Sequence, residues 1–315
     1  MNNDSEVHKT PTAVSDTDGQ ADRDKRQIQR IAPRIADVGG IPVARVLPYR
    51  QRRLVGAWCF LDHAGPAVFE QGNRGMRVGP HPHIGLQTFT WMIEGEILHR
   101  DSLGNLQVIR PGQVNLMTAG YGISHTEETV EGERHLHATQ LWIALPKAHR
   151  NTAPRFDHYP DLPRWREQGA ELTLLVGEFM DCKAPTLTFS PLVGVDIAAS
   201  EAAHLRLPLR QDFEYALLAL EGGLEINGES FACDELAYLG SGQSEIETSL
   251  PAGSRAILIG GAPLGEDITI WWNYVGHSRD EIVEAHRDWE QGGERFGSVP
   301  GYEGEPLQAP PLPWG

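Results

Sequence analysis

Gly79-Pro80-His81-Pro82-His83-Ile84-Gly85 and Gly120-Tyr121-Gly122-Ile123-Ser124-His125-Thr126-Glu127 stand near the two ends of residues 75–128. Each segment carries two metal-ligand side chains separated by one residue. Successive side chains of a strand point to opposite faces, so positions i and i+2 share a face. His81 would therefore project with His83, and His125 with Glu127. Two such strands side by side would build a cage of three imidazoles and one carboxylate. That donor set suits one divalent transition metal: iron, manganese, nickel, copper or zinc.

Around this stretch, short apolar runs alternate with Gly- and Pro-containing turns. Ile41-Pro-Val-Ala-Arg-Val-Leu, Trp58-Cys-Phe-Leu-Asp-His, Val114-Asn-Leu-Met-Thr and Ala138-Thr-Gln-Leu-Trp-Ile-Ala-Leu read as strands. The run over residues 86–98 is broken at Glu94-Gly95-Glu96 into two strands, and residues 73–80 read as a loop leading to the first histidine pair. Beyond residue 170 the same style returns, in Leu172-Thr-Leu-Leu-Val, Ala203-His-Leu-Arg-Leu, Tyr215-Ala-Leu-Leu-Ala-Leu and Ala256-Ile-Leu-Ile. The fold class expected is all-β, with two barrels or sandwiches.

The expected organisation is a disordered polar tail (1–28), a first barrel (29–150), a linker with Pro154, Pro160 and Pro163 (151–169) and a second barrel (170–266). A helix and a Pro-rich extension follow (267–315). Aligning Ile93-Glu94-Gly95 with Leu220-Glu221-Gly222 places Pro208 at the position of His81 and Arg210 at that of His83. The second half would thus be a degenerate copy without ligands. Ser278-Arg-Asp-Glu281 reads as a capping box, followed by Ile282, Ala285, His286 and Trp289 at helical spacing, with Gly292-Gly293 as the stop.

Composition narrows the function. The 315 residues carry a formal net charge of −16, which argues against gripping phosphate backbones, so no direct nucleic-acid binding is expected. A protein partner stays compatible with that charge. With no apolar leader and no run of about 18 apolar residues, no membrane span is expected, and cytoplasmic residence is the default. Cys59, Cys182 and Cys233 are odd in number and widely spaced, which points to reduced, buried thiols. His135-Leu-His137 repeats the H-x-H spacing but follows Glu131-Gly-Glu-Arg, and reads as a decoy. His63 and His99 read as locally hydrogen-bonded.

The spacing of Gly75, His81-x-His83 and Gly95, with Gly120-Tyr-Gly122-Ile-Ser-His125 following, is similar to the paired motifs of the cupin barrel. The whole of residues 31–296 resembles the pirin family. The match is carried by His81-Pro-His-Ile-Gly, Glu94-Gly-Glu-Ile-Leu-His-Arg-Asp-Ser-Leu-Gly-Asn105, Met117-Thr-Ala-Gly-Tyr-Gly-Ile-Ser-His-Thr-Glu127 and Gln140-Leu-Trp. Gly260-Gly-Ala-Pro-Leu-Gly-Glu266 and the helix after it also resemble the family's carboxy-terminal region. This resemblance implies a bicupin with one metal, usually iron, in the amino-terminal barrel, held by His81, His83, His125 and Glu127. It also implies a quercetin 2,3-dioxygenase-like activity on a phenolic or enol substrate with O2, Glu127 serving as catalytic base. The alternative that it implies is a metal-bearing regulatory protein whose metal state tunes a protein partner. Many pirins have Glu four residues after the second histidine; Gln87 stands there in this chain, a candidate to support the metal site from behind its ligands.

Overall fold

A computed structural model of the protein describes residues 28–314; the expected disordered tail, apart from Ile28, lies outside them. Two barrels form, each from one large and one small antiparallel sheet. In the first, the large sheet orders Arg155–Tyr159, Val114–Thr118, Leu86–Gly95, His135–Ala144, Trp58–Val68, Ile41–Leu47 and Arg34–Val38. The small sheet orders Arg77–His83, Ile123–Thr129, Ile97–Asp101 and Leu106–Ile109.

The second barrel repeats this order, with Cys182–Lys183 as an extra strand paired to its large sheet. Its small sheet runs Ala203–Pro208, Glu245–Leu250, Gly223–Ile226 and Glu229–Ala232, and its large sheet is centred on Glu214–Glu221 between Leu236–Gly240 and Ser254–Gly261. The strand ending at Pro208 occupies the place of the strand carrying His81 and His83, as the internal alignment requires.

Three boundaries differ from the sequence expectation. Gln29–Ile31 pairs with Leu236–Gly240 of the second barrel, so the amino-terminal strand completes the far sheet rather than the near one. The linker is not loop throughout: Arg155–Tyr159 adds to the first barrel and Arg164–Glu167 to the second. Arg77–Pro80, read as loop, is the start of the strand that presents His81 and His83. In each case the segment is short and polar, and a partner strand distant in sequence supplies the pairing that local propensity does not.

The two large sheets meet face to face. Trp58, Phe89, Trp91 and Leu141 of the first pack with Val176, Leu218, Ile257 and Ile259 of the second in one apolar cluster. Both indoles also donate across this interface, Trp58 Nε1 to Gly260 O at 3.0 Å and Trp91 Nε1 to Asp196 Oδ1 at 3.1 Å. Odd-numbered side chains of Leu86–Gly95 thus face the partner barrel. The even-numbered ones, Thr90 among them, face the first barrel's interior.

The helix Arg279–Glu290 forms where the capping box places it. Ser278 Oγ accepts from Glu281 N, while the Glu281 carboxylate accepts from His277 N, one residue ahead of the cap. Ile282, Ala285 and His286 are buried. Residues after 266 return to the first barrel: Ile84 bridges to Tyr274, and Leu307 N donates to Pro80 O at 2.8 Å. Gly85 permits this approach with a φ of +67°, because a Cβ there would collide with the Val275 carbonyl oxygen. No helix among the described residues is long and apolar enough to cross a membrane.

Ile31 is fully buried in the shared cluster although its strand has only three residues. Ile31→Ala should cost about 2–4 kcal/mol, seen as a lower thermal midpoint; an unchanged midpoint would mean that this strand does not brace the barrels.

Candidate metal centre

The strands Arg77–His83 and Ile123–Thr129 are direct neighbours, with His125 opposite His81. The side chains of His81, His83 and His125 meet inside the first barrel, each offering one nitrogen within 4.8 Å of the others. All three are buried. Ring centroids are 4.3 Å apart for His81 and His125, and 5.0 Å for each of the other two pairs.

Hydrogen bonds behind the rings fix which nitrogen faces inward. His81 Nδ1 donates to Gly79 O at 2.8 Å, and His83 Nδ1 to Asn273 O at 3.0 Å. His125 Nδ1 lies 3.3 Å from His99 Nδ1, and His99 Nε2 lies 3.1 Å from Asp101 Oδ2. Because the Asp101 carboxylate only accepts, His99 carries its proton on Nε2 and accepts from His125 on Nδ1. Each of the three rings is therefore left with a bare Nε2, and two of these, on His83 and His125, face each other at 3.1 Å.

Burial pushes the His81 imidazole down to about 4, opposed by its bond to Gly79. Burial, reinforced by neighbouring imidazoles, holds His83 and His125 well below the ordinary histidine range. Protons are thus held off, and the lone pairs converge on one another, an arrangement that a cation can bridge. A divalent transition metal fits this donor set, and the carbonyl and carboxylate-backed imidazoles behind it match the way metal-bound histidines are oriented.

Glu127 lines the same cavity, and Gln140 Nε2 donates to its Oε1 at 3.3 Å. Its carboxylate is not within the three-histidine cluster, because the pairing of the two strands slips by one residue between His125 and Glu127, setting Glu127 against Val78. Burial raises its carboxyl to about 7. Glu128 points the other way, to Arg77 and Arg100. Gln87 is not brought to the cavity: it lies on the face of its strand opposite Thr90, where its amide bonds Thr118 Oγ1 and Leu187 O.

The support for His125 was not visible from local sequence, since His99 stands beside Arg100 without an obvious role. The signal was His99-x-Asp101 on a strand that pairs with the one carrying His125. His99 also stacks on Phe156, at 4.3 Å between centroids, from the strand within the expected linker. Of the other histidines, His135 is exposed, whereas His137 and His63 are buried together elsewhere. The cysteines are free, Cys59 buried, Cys182 half-buried and Cys233 exposed, so only the first matches the buried expectation.

Above the histidines opens a cavity of about 570 Å3. Phe60, Trp142, Trp271 and Trp272 supply aromatic walls, and the Arg45–Asp62 pair and Thr90 supply polar ones. Trp271, Trp272 and Leu307 come from the carboxy-terminal segment, which therefore completes the site of the first barrel.

Paired β-barrels with one buried three-histidine centre define a bicupin. Two family models match the chain: Pirin over residues 40–143, and the Pirin C-terminal cupin domain over residues 194–297. A Pseudomonas aeruginosa protein named as a candidate quercetin 2,3-dioxygenase is 60% identical over 294 residues, 93% of each chain. A pirin-like protein of Caulobacter vibrioides is 38% identical over 81% of this chain and 90% of its own. The crystal structure of a quercetin 2,3-dioxygenase from Acinetobacter baumannii superposes with a TM-score of 0.89 at 51% identity, covering 91% of this chain and 96% of that one. The chain belongs to the pirin family.

His99→Ala should lower affinity for a divalent metal about 10–100-fold by freeing the His125 ring. Competition against a chromophoric chelator measures this; unchanged affinity would remove His99 from the support of the site.

Proposed function

We propose that this protein is a metal-dependent dioxygenase that cleaves flavonols such as quercetin with O2. One divalent ion, iron in this reading, would be held by His81, His83 and His125, with Glu127, which lies outside the three-histidine cluster, closing in from the cavity wall as fourth ligand. The observation that carries the proposal is the convergence of three bare imidazole nitrogens at the floor of an aromatic-walled cavity. The names of the Pseudomonas and Acinetobacter relatives support the same substrate class.

Bound there, the metal supplies Lewis acidity to a chelating hydroxyl and an open coordination position for oxygen chemistry. The chain's own residues do the rest. The volume lies within the range of small-molecule sites, and flat aromatic walls suit a fused phenolic ring system. Glu127, deep in the cavity, takes the substrate hydroxyl proton, and the Gln140 amide keeps that carboxylate oriented. Phe60 and Trp142, stacked at 4.0 Å, hold the wall against which the His83 ring packs. Arg45, bonded twice to Asp62 at 2.7 Å, fixes the polar side of the opening. Trp271, Trp272 and Leu307 line the cavity, where they would exclude water from the electron-rich anion.

Glu127→Gln should reduce quercetin-dependent oxygen uptake about 10²–10⁴-fold, the usual contribution of a positioned base. A variant with an undiminished rate would contradict the role given to this carboxylate.

A further inference from the structure

A second cluster of ligand-type side chains lies between the barrels, away from the three-histidine centre. A ring nitrogen of His63, Cys233 Sγ and a carboxylate oxygen of Asp234 lie within 4.8 Å of one another. His63 belongs to the strand Trp58–Val68 of the metal barrel, whereas Cys233 and Asp234 sit in the turn after Glu229–Ala232 of the second barrel. Asp234 adopts a φ of +65°, a conformation that non-glycine residues seldom take and that turns its carboxylate toward His63.

The His63 ring is held at both nitrogens. His63 Nδ1 lies 2.6 Å from Asp234 Oδ1, His63 Nε2 lies 2.9 Å from His137 Nε2, and His137 Nδ1 lies 3.1 Å from Glu221 Oε1. Two neutral imidazoles satisfy both hydrogen bonds of His63, with Nδ1–H of His63 donating to Asp234 and Nε2–H of His137 donating to His63 Nε2. His63 and His137 are both buried. A cation at His63 Nδ1 would displace its proton, and Nε2–H of His63 would then donate to His137, whose Nδ1 faces Glu221. His63 Nδ1 thus points at the Asp234 carboxylate with Cys233 Sγ beside it, three donor types gathered from two barrels.

We propose that His63 Nδ1, Cys233 Sγ and Asp234 form a second, interdomain site for a thiophilic divalent ion of the zinc type, with His137 and Glu221 orienting His63 from behind. One nitrogen, one sulfur and one oxygen are a zinc-type donor set, and a thiolate separates this site from the all-imidazole floor of the other. Cys233 Sγ donates to Leu220 O at 3.2 Å, and a bound ion would take the place of that proton. Cys233 is exposed, which gives the ion a route in. Because the ligands come from both barrels, occupancy ties them together.

The test is titration of the metal-free full-length protein with Co²⁺, followed by thiolate-to-cobalt charge-transfer absorption and by bound stoichiometry. Two equivalents should bind. The thiolate band should persist in His81→Ala, which damages only the first site, and vanish in Cys233→Ser, with one equivalent lost. Asp234→Asn should weaken the second equivalent roughly tenfold or more. A single equivalent without a thiolate band in the unaltered protein overturns the proposal, and so does a second equivalent that Cys233→Ser leaves untouched.

Discussion

Imidazole lone pairs held face to face in a buried interior are the constraint on which the rest of this molecule turns. His83 and His125 present bare nitrogens to each other at 3.1 Å, and their other nitrogens are already committed to Asn273 and His99. Burial lowers their proton affinity, so protonation cannot relieve the contact without cost. A shared metal ion relieves it directly. An arrangement that would be a defect in an ordinary core becomes a binding site when a divalent ion is available.

The barrel exists to hold that contact in place. Adjacent antiparallel strands bring one histidine pair against His125, and a slip in pairing sets Glu127 aside, toward Gln140 and the cavity. Segments distant in sequence lock the rings: the carboxy-terminal segment reaches His83 through Asn273, and the strand after residue 150 supports His99 through Phe156. The second barrel copies the strand order of the first and carries Pro208 where His81 would stand. Its large sheet instead serves as a wall for the first, sealed by two indoles that reach across.

Much of this was legible in the chain. H-x-H on a strand implies a shared face, and the capping box at Ser278 located the helix. What stayed hidden depends on register between segments far apart in sequence. Gln87 resembles a metal-facing residue by its spacing from His83, but its strand turns odd-numbered side chains toward the other barrel. His99, His63 and His137 looked incidental because their partners lie on other strands or in the other domain. Gln29–Ile31 is too short and polar to announce itself, and pairs only because Leu236–Gly240 offers it an open edge.

Crystals loaded with iron or manganese and measured at the metal's absorption edge test the central claim most directly. The account predicts an anomalous peak inside the first barrel, about 2.0–2.2 Å from one nitrogen each of His81, His83 and His125. A loaded crystal whose metal lies elsewhere, with those three rings unliganded, would contradict it.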